Sequence, residues 1–213
     1  MNRVFAAAVF LAAMCALASP ARAQVFGQLV SAEIMSTGSH EAGFYLNASD
    51  RVLGGLTQLR LSFYPNVDFG FQGGLARVTW EGTDRTTLRL GADIRAGLTH
   101  SGEGFPLDIA AGGALGVETS DNYHVLTLMP SAVASRSFMV GKSGSISPYL
   151  GVGISFQSVD ATATSQSYLS LPTRLGADFQ VMPGMRLTGE MEFPVGGGFN
   201  QSFGVATGVN LAF

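Results

Sequence analysis

Cysteine is almost missing from these 213 residues: Cys15 is the only one. It lies near the start of the chain, and Met14 beside it is too bulky for a lipoprotein processing site. A chain trimmed of that segment has no disulfide, no thiol nucleophile and no thiolate metal ligand. Lysine is as scarce, with Lys142 alone, and Lys and Arg together number 12 against 15 acids. Nucleic acid is therefore not an expected partner, because a phosphate backbone calls for a basic stripe. Charged residues make up 13% and the mean hydropathy is +0.28, apolar for a soluble domain. Even so, beyond the N-terminal segment no run approaches the ~18 consecutive apolar residues that a membrane helix needs. Apolar residues this abundant and this scattered fit alternating strands.

Met1–Ala23 reads as a cleaved export signal. Arg3 supplies the positive start, Val4 to Ala18 the apolar run, and Ala21-Arg22-Ala23 the small-x-small cleavage site, so the mature chain is expected to begin at Gln24. The run ends at Ser19-Pro20, too short for a spanning anchor. Loss of Arg3 and Arg22 leaves ten basic residues and a net charge of −5. Residues 24–213 carry all 28 glycines and are read as one domain without a linker.

A period of two runs through most of that domain. It is clearest where Leu88, Leu90, Ala92, Ile94, Ala96 and Leu98 alternate with Arg89, Gly91, Asp93, Arg95 and Gly97. Ten candidate strands result: Val25–Met35, Val52–Tyr64, Asp68–Trp80, Arg85–Leu98, Leu107–Thr119, His124–Phe138, Ile146–Phe156, Tyr168–Val181, Leu187–Val195 and Phe203–Phe213. The parity of Asp68–Trp80 slips near Gly73-Gly74, which suggests a bulge, and that of His124–Phe138 is ambiguous. Pro130, Pro148 and Pro172 each remove a ladder donor and are expected at strand starts or bulges. Pro65-Asn66 and Met182-Pro183-Gly184 read as tight turns at one end. Ser36–Arg51 and Gln157–Ser167 read as long connections at the other, which would make His40 and His124 extracellular and His100 periplasmic. A secreted calycin-like barrel or a β-sandwich would need a polar exterior, yet Gly, Ala and Ser are as common as charge on the faces opposite the apolar ones.

The last strand sets Phe203, Val205, Thr207, Val209, Leu211 and Phe213 against Gly204, Ala206, Gly208, Asn210 and Ala212. An export signal with a last strand ending in Phe resembles the closing strand of bacterial outer-membrane β-barrels. The whole chain resembles the small members of that class, such as the outer-membrane-protein-A transmembrane domain and the opacity-type adhesins. The resemblance implies an all-β, closed, antiparallel up-and-down transmembrane barrel of ten strands, or eight if two weak candidates do not span. It implies outer-membrane lipid as surroundings and a barrel-insertion machinery that reads Phe203, Val205, Val209, Leu211 and Phe213. The role it implies is structural or adhesive, not enzymatic, with a narrow passive channel and a lipid-modifying enzyme as alternatives. No cofactor or metal is implied.

Charge is confined to the faces opposite lipid. Arg60, Arg89, Arg95, Arg174 and Arg186, with Asp93, Asp108, Glu118, Asp178, Glu190 and Glu192, all take that parity. An Arg facing hydrocarbon near the bilayer midplane costs about 2–4 kcal/mol, so the parity is forced. A three-residue hairpin loop at Met182–Gly184 sets Arg174 opposite Glu192, whereas a shift of two pairs Arg174 with Glu190 and Asp178 with Arg186. Such a lumen network reads either as a selectivity ring or proton path, or as a structural plug of ion pairs. Ser120, Asp121 and His124 have the composition of a lipid-acting triad but sit in a loop-like string without a matching motif.

Overall fold

The computed structural model describes residues 29–80, 83–102, 104–141, 144–161, 164–195 and 203–213. The export signal and Gln24 lie outside these residues. Twelve strand segments occur in chain order: β1 His40–Ser49, β2 Val52–Tyr64, β3 Val67–Trp80, β4 Thr83–Thr99, β5 Asp108–Ser120, β6 Tyr123–Ser135, β7 Phe138–Val140, β8 Gly144–Gly153, β9 Ser155–Ala161, β10 Thr164–Met182, β11 Met185–Val195 and β12 Gly204–Ala212. β8 and β9 form one strand interrupted at Ile154, and both pair with β6 on one side and β10 on the other. The short β7 prolongs the β6 edge alongside β8. β1 pairs with β12 from Glu41↔Ala212 to Ser49↔Gly204, which closes the sheet. The result is a ten-strand antiparallel barrel. Closure leaves no sheet edge, so the backbone polar groups are paired within the wall, as hydrocarbon demands.

The wall is inverted relative to a soluble protein. Phe44, Leu46, Leu90, Ile94, Leu150 and Phe156 are exposed on the outside, whereas Arg60, Arg89, Arg95 and Arg174 are buried inside. The period of two places them so, because successive side chains point to opposite faces. Aromatic side chains gather at the rims. His40 packs beside Phe63 and Phe213, with ring centroids 6.4 and 5.8 Å away, at the rim that carries β12's end. Phe193 and Phe203 meet at 5.2 Å at the far rim.

Five sequence expectations change. The first strand is β1, not Val25–Met35: residues 29–35 run into the lumen, and residues 25–28 lie outside the described residues. Ser36–Arg51 is accordingly no long outward loop, and His40 sits at the rim with Phe213. Gln157–Ser167 is likewise mostly strand, since β9 and β10 pair from Ser170↔Ser155 to Thr164↔Ala161. No bulge occurs at Gly73-Gly74: the register with β2 and β4 runs through unbroken. Ala76 and Val78 point inward there into an apolar part of the lumen, so polarity misreports the parity. Pro130, Pro148 and Pro172 lie within strands, the last directly opposite Pro194. The ladder accommodates Pro130 at the break, where Ile154 N–H donates to the Pro130 carbonyl at 2.9 Å.

Candidate functional site: the charged lumen

One rung of the barrel holds Arg60, Gly70 and Asp93 side by side on β2, β3 and β4. Gly70 lets the two charges meet. A Cβ there would lie 2.1 Å from Asp93 Oδ2 and 2.7 Å from Arg60 Nη2. Arg60 Nη2 therefore reaches across β3 and donates to both Asp93 oxygens, at 2.7 and 3.0 Å, while Nη1 donates to Asp68. Asp68 also takes a two-pronged contact from Arg95, Nε at 3.0 Å and Nη2 at 2.6 Å. The four groups make a neutral, buried chain. Pairing of this kind is what permits ionised side chains out of bulk water.

Around the wall, Arg89 Nε donates to Glu118 at 3.1 Å, and Arg186 pairs with Glu41. Arg174 stands directly opposite Glu192, the first of the two registers considered, reached by a two-residue Pro183-Gly184 turn with an irregularity at Val181. Glu190 accepts from Tyr149 Oη at 2.8 Å, and Arg174 Nη2 points to Met129 Sδ at 3.9 Å. Asp178 accepts from Thr188 at 2.7 Å, not from Arg186. Asp108 departs from the expected network, for it is bound by the Ser101 amide and hydroxyl at the rim. Asp68, Glu41, Tyr45, Tyr149 and Asn210 join the lumen without having been singled out. Asp68 carried a legible signal, an acid of inward parity at a strand end, whereas Glu41 fell in the stretch read as a long connection. Tyr45 and Tyr149 did not, since a tyrosine fits either face.

Glycines seat the two tyrosines. A Cβ at Gly176 would fall 2.3 Å from Tyr149 Cζ, and one at Gly208 2.3 Å from Tyr45 Cδ1. Each ring lies flat over a bare stretch of neighbouring strand and fills lumen volume that five arginines alone would leave open. Towards the far rim the lumen turns apolar. Tyr123, Val125, Val159 and Ala161 form one buried cluster, and Val52, Ala76 and Val78 another.

The opposite half of the lumen is filled by the chain itself. Leu29–Ala32 are buried inside the barrel, Leu29 against Tyr45, Leu56 and Ala206, and Ala32 against Ala110, Val133 and Tyr149. Below this segment a cavity of about 340 Å³ opens at the rim among Glu33, Met35, His40, Glu41, Asp178 and Arg186.

The Ser120, Asp121 and His124 grouping does not assemble. His124 Nδ1 is 2.7 Å from Thr119 Oγ1, Ser120 Oγ donates to the Thr86 carbonyl, and the Asp121 carbonyl accepts from Arg85. Among the described residues no group of three or more His, Cys, Asp or Glu is placed to hold a metal. His100, expected at the turn end, binds Asn66 Oδ1 there at 3.1 Å.

A closed antiparallel barrel, apolar outside and charged inside, is the architecture of bacterial outer-membrane β-barrel proteins, and that is the class this fold defines. No protein-family model matches the chain, and no curated protein matches it. Similar solved structures include a bacterial polysaccharide outer membrane secretin, at 11% identity and TM-score 0.48, covering 82% of this chain and 64% of that one. The chain thus spans less than two thirds of the secretin. An outer membrane channel from Pseudomonas putida F1 has 11% identity and TM-score 0.48, with 89% of this chain and 100% of that chain covered. The β domain of the Bordetella autotransporter BrkA has 12% identity and TM-score 0.45, with 84% and 100% covered. The likeness is one of fold.

Proposed function

We propose that the protein is a structural, non-conducting barrel of the outer membrane, held in lipid by its outer wall, placed there by the barrel-insertion machinery, and neither channel nor enzyme. One observation carries this reading: the described lumen is filled along its length. Residues 29–32 and the buried Arg–carboxylate pairs they touch at Arg95 occupy one half, and apolar clusters pack towards the far rim. Ten strands enclose a lumen of a size that side chains can fill. Among the described residues the far rim offers an external ligand little to hold, because β1–β2, β3–β4, β5–β6 and β9–β10 are each joined by two residues, while most of the β11–β12 connection lies outside the described residues. Purified protein in a planar bilayer is expected to show no steady conductance at neutral pH. Glu192→Gln, which strips Arg174 of its opposite carboxylate, should give flickering openings or a destabilised barrel. A steady wild-type conductance that this change leaves untouched would refute the plug and promote a channel.

A further inference from the structure

The segment in the lumen mouth is held mainly through its main chain. The Ser31 amide donates to Asp178 Oδ2 at 3.0 Å, and the Ser31 carbonyl accepts from Arg95 Nη1 at 2.6 Å. One residue on, the Ala32 amide donates to Ser135 Oγ at 3.1 Å. An anion on the N–H and a cation on the C=O of the same residue form a clamp that reads peptide backbone, not side-chain chemistry. The Ser31 hydroxyl makes the same point from the other side: it is buried and has no hydrogen-bond partner among the described residues. Side-chain selection comes from shape alone. Leu29 enters the apolar recess of Tyr45, Leu56 and Ala206, while Ala32 is buried against Ala110, Val133 and Tyr149.

We propose that the lumen mouth is a peptide-binding site whose resident ligand is the chain's own residues 29–32. Its ligand class is an extended peptide with an aliphatic side chain at the position of Leu29 and small ones at those of Ser31 and Ala32. Asp178, Arg95 and Ser135 come from β10, β4 and β6, so the clamp exists only once the barrel is closed. Charge-assisted hydrogen bonds to main-chain atoms are strong and indifferent to sequence, and the recess supplies the discrimination. The site does not depend on whether the lumen conducts.

The test uses the full chain with a protease site inserted in the exposed turn at Thr37-Gly38. The protein is folded in detergent and cut there, and a labelled synthetic peptide of residues 24–37 is added. Anisotropy is expected to report saturable binding, with mass spectrometry showing the cut segment displaced. A Ser31→Ala peptide should bind within about twofold of the original, and a Leu29→Asp peptide at least ~10-fold more weakly. Because the substitutions are in the peptide, the barrel's own folding is unaffected. Equal binding of the Leu29→Asp peptide would overturn the proposal. So would departure of the cut segment without uptake of the labelled one. A cut segment that stays bound and never exchanges would overturn it too, since residues 29–32 would then be a fixed part of the wall.

Discussion

At the scale of single residues, which face a side chain takes decides its cost. Leu90 is 52% exposed on the outer wall between two inward arginine-bearing positions, Arg89 and, further on, Arg95. Leu90→Arg should cost about 2–4 kcal/mol and block stable insertion into lipid vesicles, whereas Leu90→Phe should fold with unchanged yield. Glycines give a second contrast. Gly176→Ala drives a methyl group into the Tyr149 ring and toward the Gly189 carbonyl, 2.8 Å away, disturbing the bond from Tyr149 to Glu190. A loss of about 1–3 kcal/mol in urea unfolding is expected, as for other overpacked interiors. At Gly189, where a Cβ meets nothing within 4 Å, the same change should be close to neutral. Equal effects at the two positions would mean that the ring is not seated on Gly176.

At the scale of elements, the hydrocarbon outside made most strands legible. Lipid tolerates only apolar side chains, so Leu88 to Leu98 alternates visibly and β4 is found as read. The inner wall imposes no single polarity, and there the sequence misleads. Phe44-Tyr45-Leu46 hides the alternation of β1 because Tyr45 points inward to Asn210. Val125 and Met129 do the same to β6, both being buried in the lumen. The segment Leu29-Val30-Ser31-Ala32 imitates a strand because it is extended and buried, although what covers it is the barrel interior. The ion pairs were harder still. Parity identified the inward charges, but the Arg60–Asp93 contact spans three strands and depends on Gly70, which only the register reveals. For β12, the reading of Phe213 as part of an insertion signal makes a separate prediction. Phe213→Ala removes the ring packed beside His40 and is expected to lower accumulation in the outer membrane severalfold. Normal levels in fractionated membranes would sink that reading.

At the scale of the molecule, a closed wall with satisfied backbone groups should resist detergent. The unheated protein is expected to migrate faster on a gel than the boiled one, and identical mobility would count against a closed barrel. Closure also has a consequence in time. The seam between β1 and β12 joins residues such as Tyr45 and Asn210, 165 positions apart in the chain. Contacts between such distant residues carry a large loop-closure cost and slow folding accordingly. No early subset of strands can complete the ring, so an exported chain spends its transit with strand edges and greasy faces unpartnered. The time to closure, more than the stability of the finished barrel, then sets how much of the chain is lost to aggregation.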